Sequence, residues 1–257
     1  MTAPETTSRG STGPTPRSAV HFGVNVRAGS KHGLRISRDT YARINKRSSI
    51  YWSREDNPTL WDAVDENYED AEHRILTDKW CQQHQAKALE NFDLNMAYFA
   101  ALDSDEFNQA IESAVASQRG MVEVTDLNKW DGVSGLYVMV LDGYRQAYIG
   151  IASGMGGVKE RIRQHWSRSK EFDRLLWGGV QESILSVDSF RALDTTRIYA
   201  AKARDPLSLE HKVIEAFPSK FLLNRLMGGD VRLLGLVSLL GVEVKKFRGL
   251  STDGESG

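Results

Sequence analysis

Two tyrosines, an arginine, a histidine and one inward-facing glutamate carry the chemistry that can be read from this chain. Tyr137 and Tyr148 stand eleven residues apart in two short apolar runs, Gly135-Leu136-Tyr137 and Tyr148-Ile149-Gly150. Arg161 and His165 lie four residues apart in a segment of helical spacing, so both face the same side, next to the apolar stripe Val158, Ile162, Trp166. Glu210 follows Leu207 by three and precedes Val213, Ile214 and Phe217 by three, four and seven, which aims its carboxylate along a core-facing stripe. An uncompensated charge there is costly, and either a divalent cation or an arginine such as Arg161 relieves it. Phenols, a guanidinium, an imidazole and a core-facing carboxylate are groups that move protons and stabilise developing charge. The plainer alternatives are an aromatic cross-strand pair that only packs and a salt bridge from Glu210.

The elements that must position these groups are legible in outline. Asp142-Gly143 is a two-residue turn signal between runs rich in Val, Ile, Leu and Tyr, so residues 135–151 read as a hairpin. A two-residue turn pairs Leu141 with Tyr144 and places Tyr137 opposite Tyr148, with the tyrosine face open for chemistry. Alternation puts Leu136, Val138, Val140, Ala147, Ile149 and Ile151 on the opposite, apolar face. The glycines of Gly154-Met155-Gly156-Gly157 read as a flexible connection to a helix over Val158–Trp166. A third strand is expected over Thr196–Ala201, and a helix opens at Asp205-Pro206 and runs to about Phe217. The predicted fold class is α+β, a small antiparallel three-stranded sheet flanked by helices and preceded by a helical N-terminal module.

That order and spacing resemble the GIY-YIG nuclease family over about residues 131–227. Gly135-Leu136-Tyr137 is similar to the first signature, with Leu in place of Ile, and Tyr148-Ile149-Gly150 reproduces the second. Arg161 corresponds to the family's arginine, His165 to the His or Tyr four residues on, Glu210 to the metal-binding glutamate, and Asn224 in Leu222-Leu223-Asn224 to the asparagine near the domain's end. The chain departs from the family in a longer glycine-rich loop and a long stretch between His165 and the third strand. The resemblance implies hydrolysis of DNA phosphodiester bonds with one Mg²⁺ or Mn²⁺ held by Glu210 and waters, Arg161 on the phosphate, Tyr137 as general base, Tyr148 orienting phosphate or water, and His165 assisting proton transfer. The competing expectation is a catalytically inactive DNA-binding or scaffolding protein on the same fold. Lys159, Arg163, Arg168, Lys170, Lys202 and Arg204 are candidate contacts to flanking phosphates, with ordinary surface charge as the alternative.

The rest of the chain sets bounds. The 257 residues, 40% hydrophobic and 26% charged, supply ample core for one or two domains. No apolar run approaches the roughly 18 to 20 residues that cross a bilayer, and residues 1–19 read as a disordered lead-in without a secretion signal, so a cytoplasmic location is expected. The single Cys81 excludes an intrachain disulfide, and Cys81-x-x-His84 is at most half of a zinc site. A net charge of −1 conceals an asymmetry: His21 to Arg54 holds eight Lys or Arg against Asp39 alone, and Glu55 to Glu72 holds eight Asp or Glu and no base. These segments either pair with each other or form a phosphate-contacting arm (Arg27, Lys31, Arg35, Arg38, Arg43, Lys46, Arg47) beside an acidic stretch that limits non-specific binding. Residues 20–128 are expected to be this basic arm plus a mainly helical module, a possible contact for a protein partner, with Asp103 capping a helix whose stripe is Phe107, Ala110, Ile111, Ala114, Val115. Residues 129–228 form the nuclease-like domain, 229–249 an apolar packing extension and 250–257 a free tail.

Overall fold

The computed structural model describes residues 17–29, 33–47, 54–55, 58–167, 180–181, 183–203 and 206–224. Arg168, Lys170, Arg204, Lys31 and the expected extension and tail at 229–257 lie outside these residues. The class is α+β.

A β-hairpin opens the described chain, β1 (Ser18–His21) and β2 (Val24–Arg27), where a lead-in and a basic arm were expected. Alternation explains it: Val24 and Val26 are buried while Asn25 and Arg27 are exposed. Two short helices follow, α1 (Arg38–Tyr41) and α2 (Pro58–Val64), then the long α3 (Asp78–Ala101) and α4 (Ser104–Ser117). Asp103 caps α4 as expected, its carboxylate accepting from the Glu106 N–H at 2.7 Å.

The main sheet has four strands, not three. Its order is β3 (Val122–Glu123), β6 (Arg197–Lys202), β4 (Gly135–Leu141), β5 (Gln146–Ala152), and all neighbours are antiparallel. The added member is a two-residue edge strand paired through Val122 with Ala200. Helix α5 (Gly157–Ser167) follows β5, and α6 (Pro206–Ala216) follows β6.

The hairpin register differs from the expected one by two residues. Tyr137 faces Gly150 and Met139 faces Tyr148, because the chain turns through a 3-10 turn over Asp142–Tyr144 and a left-handed Arg145 at φ 49°. Distant contacts impose that turn. The Arg145 guanidinium donates to Ser104 Oγ at 2.7 Å and to the Phe99 carbonyl at 3.1 Å, while Thr196 donates to Asp142 at 2.7 Å. A slip of two preserves which side chains share a face, so the two tyrosines remain together.

Helices cover both faces of the sheet. Leu136, Val138, Val140, Ala147 and Ile149 pack against Phe107 and Ile111 of α4, Val213 of α6 and Phe217 just beyond it. The tyrosine face, expected to be open, is closed as well: all seven residues of β4 are buried. Tyr137, Met139 and Leu141 join Val158, Ile162 and Trp166 of α5 in one core with Val24, Val26, Leu34, Phe92 and Phe99. The N-terminal helices and hairpin therefore share the core of the sheet. Their charges are largely spent internally: Arg38 grips Asp93 with two bonds of 2.8 Å, Lys46 meets Glu69 at 2.6 Å and Arg54 meets Asp62 at 3.1 Å. The basic and acidic segments do pair, at the level of single exposed bridges of small individual weight. His84 stacks on Trp80 at 4.6 Å.

Candidate functional site

The glycines of the two strand signatures have specific duties. A side chain at Gly150 would lie 2.6 Å from the Tyr137 hydroxyl and 2.7 Å from the Tyr148 ring, so only glycine lets both phenols lie across β5. At Gly135 a Cβ would strike the Ala201 carbonyl at 2.1 Å, across the β4–β6 pair. Gly157, at φ 57°, abuts the Val133 backbone, and the Val158 N–H donates to the Val133 carbonyl at 3.0 Å. The glycine-rich link is thus a close-approach joint that sets the start of α5, where a flexible connection was expected.

Helix α5 is anchored at its far end by Trp166, whose indole N–H donates to Thr195 Oγ1 at 3.0 Å. This fixes the face that carries Arg161 and His165. His165 is buried, and its Nε2 meets the Tyr137 hydroxyl at 2.8 Å. The Tyr137 and Tyr148 rings lie 6.2 Å apart, and the Tyr148 ring sits edge-on to His165 at 4.9 Å. The Arg161 guanidinium donates to Gln164 at 3.3 Å, and its positive charge acts on both phenols.

Burial dominates the electrostatics. Tyr137 has no exposed surface, and desolvation drives its hydroxyl well above the ordinary phenol range, with Arg161 pulling the other way. Burial pushes the half-buried Tyr148 up to about 12, opposed by Arg161 and reinforced by Glu210 and Asp188. At both rings desolvation outweighs the Arg161 guanidinium, so that neighbour by itself does not bring a phenol down toward neutrality. Glu210 is 4% exposed, and burial raises its carboxyl above the usual range against the pull of His211 and Arg161. Its Oε2 has no hydrogen-bond partner among the described residues.

That orphaned oxygen suits a cation. No cluster of three His, Cys, Asp or Glu among the described residues is placed to hold a metal, so an ion at Glu210 would take its remaining ligands from water and substrate, as Mg²⁺ does readily. The charge of Glu210 acts on Tyr137 and Tyr148, and the charge of Arg161 acts on Glu210, so the four share one electrostatic neighbourhood.

The structure gives Asn224 a framework duty. Its carboxamide oxygen accepts from the Ile149 N–H at 2.9 Å and its NH₂ donates to the Ile149 carbonyl at 2.6 Å. Among the candidate phosphate contacts, Lys159 is bound to Asp131 at 2.9 Å, Arg163 lies 3.7 Å from Glu160, and Lys202 is exposed at the end of β6.

Asp188 is the site residue that motif reading missed. It sits in the 3-10 turn Val187–Ser189, is 4% exposed, and its Oδ1 lies 2.6 Å from His165 Nδ1. It falls in the long stretch between His165 and β6 that departs from the family pattern, where no spacing rule points to it. The sole hint was a carboxylate in Ser186-Val187-Asp188-Ser189-Phe190, between residues of core type.

Comparison with family models, with curated proteins and with solved structures finds no match to this chain. No helix among the described residues is long and apolar enough to cross a membrane.

Proposed function

We propose that this protein is a metal-dependent endonuclease that hydrolyses DNA phosphodiester bonds through a GIY-YIG-like site. One observation carries the reading: Glu210, buried with an unpartnered carboxylate oxygen, shares its electrostatic neighbourhood with Arg161 and with the two phenols of Tyr137 and Tyr148. Glu210 would hold Mg²⁺ or Mn²⁺, which when bound neutralises charge on the transferring phosphoryl group. Arg161, half-buried, would turn charge-assisted bonds onto a phosphate oxygen as its negative charge grows.

Tyr137 is too weakly acidic in this setting to wait as a phenolate. It works by a paired shift: its oxygen takes a proton from the attacking water as its own proton passes to His165 Nε2, across the 2.8 Å bond. The hydroxide forms its bond to phosphorus, the P–O bond to the leaving strand breaks, and that oxygen is protonated by solvent. Tyr148 and Arg161 are the partly exposed members of the set, while Tyr137 itself has no exposed surface. DNA is the partner, and Lys202, exposed at the end of β6, is a candidate contact to its phosphates.

The full burial of Tyr137 favours a second reading, a DNA-binding or scaffolding protein on an inactive nuclease fold. Incubating the purified chain with supercoiled, linear, single-stranded and branched DNA, with Mg²⁺, Mn²⁺ or chelator, separates the two. Cleavage that needs the metal, is lost in Glu210→Ala and costs about 2.7 to 4 kcal/mol of barrier in Arg161→Ala supports the nuclease. Binding without cleavage under every condition supports the second reading.

A further inference from the structure

We infer that Asp188 is a positioning residue that fixes the tautomer and orientation of His165, and that α3 holds Asp188 in place for this purpose. The inference rests on the nuclease reading for its consequence in catalysis, though not for the geometry itself. An ionised carboxylate only accepts hydrogen bonds, so Asp188 Oδ1 at 2.6 Å requires the proton of neutral His165 to sit on Nδ1. That leaves a bare lone pair on Nε2, 2.8 Å from the Tyr137 hydroxyl. The phenol must then donate to the imidazole, which is the direction of transfer the paired shift needs. As Nε2 takes up that proton the imidazolium forms against the Asp188 carboxylate, with no covalent bond made or broken at Asp188. Asp188 and His165 are 4% exposed each, so water competes little for these bonds.

What holds Asp188 is unusual in origin. Asn91 and Asn95, both fully buried one turn apart on α3, donate to the Ser183 carbonyl at 2.7 and 2.9 Å, and the Leu185 N–H donates to Asn95 Oδ1 at 3.2 Å. Val187 and Phe190 then sink into the core on either side of Asp188. Polar residues in the core-facing stripe of a helix are expensive unless satisfied. Here they are satisfied by the segment that carries the carboxylate. The helical N-terminal half thus completes the site from behind.

The test pairs spectroscopy with a mutant cycle on the full chain. Imidazole ¹⁵N–¹H correlation spectra, with the His165 signal assigned by its loss in His165→Gln, should place the wild-type proton on Nδ1. In Asp188→Asn that population should fall and an Nε2–H form appear, because the carboxamide can donate to Nδ1. The same substitution should slow metal-dependent cleavage at least about tenfold. In a His165→Ala background it should add no further loss. An unchanged tautomer overturns the inference whatever the rate does. Equal slowing with and without His165 overturns the claim that Asp188 acts through that residue. Should the wild type cleave no DNA, the nuclease reading fails, and the tautomer alone still decides whether Asp188 fixes His165. Asn95→Ala should shift the tautomer in the same direction while leaving Asp188 intact, and no shift there removes α3 from the chain of support.

Discussion

Asn224 closes a two-bond clasp on the backbone of Ile149, accepting from its N–H at 2.9 Å and donating to its carbonyl at 2.6 Å. Ile149 lies between Tyr148 and Gly150, so the clasp sets the strand that carries the second phenol. Replacing Asn224 by alanine leaves a buried donor and acceptor unpaired at about 1 to 3 kcal/mol. Chemical denaturation should show that loss, and any cleavage should fall with it. A stability within error of wild type would return Asn224 to a role on the substrate.

Gly150→Ala drives a methyl group into the Tyr137 hydroxyl and the Tyr148 ring, and Tyr137 cannot yield, since it is fixed by His165 and covered on all sides. Overpacking of this kind costs typically about 1 to 3 kcal/mol. Gly143→Ala, with nothing within 4 Å of the added atom, is the matched control and should stay within about 0.5 kcal/mol. Thermal melts of the two variants should separate clearly.

The phenols differ in what a lost hydroxyl removes. Tyr137→Phe removes the hydroxyl bonded to His165 Nε2 and stops the paired shift, whereas Tyr148→Phe takes away a hydroxyl that has no place in that shift. Tyr137→Phe should reduce kcat by about 100-fold or more, in line with loss of a positioned proton donor or acceptor. Tyr148→Phe should act more on KM. If Tyr148→Phe proves the more damaging to kcat, the water-facing base is Tyr148.

Alkaline pH should expose the burial of Tyr148. It ionises near 10 in the unfolded chain and near 12 in the folded protein. Between these values the unfolded chain gives up a proton that the folded protein keeps, so the stabilising contribution present below pH 10 drains away as pH rises toward 12. Urea denaturation from pH 8 to about 11.5 should show stability falling more steeply for wild type than for Tyr148→Phe. Parallel curves would mean that the phenol is effectively solvated.

Metal removal gives a further check. Magnesium that binds only the folded protein raises its stability, by about 2.7 kcal/mol at a hundredfold excess over Kd. The shift should vanish in Glu210→Gln. In chelator the same variant should be as stable as wild type or more so, because it removes a buried charge whose Oε2 is unpartnered among the described residues. An undiminished Mg²⁺ shift in Glu210→Gln places the ion elsewhere.

Periodicity determined a good deal of this protein. The period-2 apolar pattern assigned Leu136, Val138, Val140, Ala147 and Ile149 to one face, and a register slip of two left that assignment intact. The 3.6-residue stripes located α4, α5 and α6 and put His165 and Glu210 on buried sides, while the side-chain chemistry of Asp103 marked a helix start. These are local properties, fixed by residue spacing alone.

Tertiary structure decided what depends on groups distant in sequence. Arg145 is held left-handed by Ser104 and Phe99, so the turn could not be read from Asp142-Gly143. The tyrosine face is sealed by α5 and by Val24, Val26 and Phe99, which no alternation along β4 could foretell. Both phenols are weaker acids than a nearby arginine would suggest, because desolvation depends on everything packed around a ring and not on one neighbour. Asp188 meets His165 from a segment that two buried asparagines of α3, some ninety residues earlier in the chain, bind at Ser183 and Leu185. Spacing tells which way a side chain points from its own element; where two elements meet is settled by the packing of the whole core.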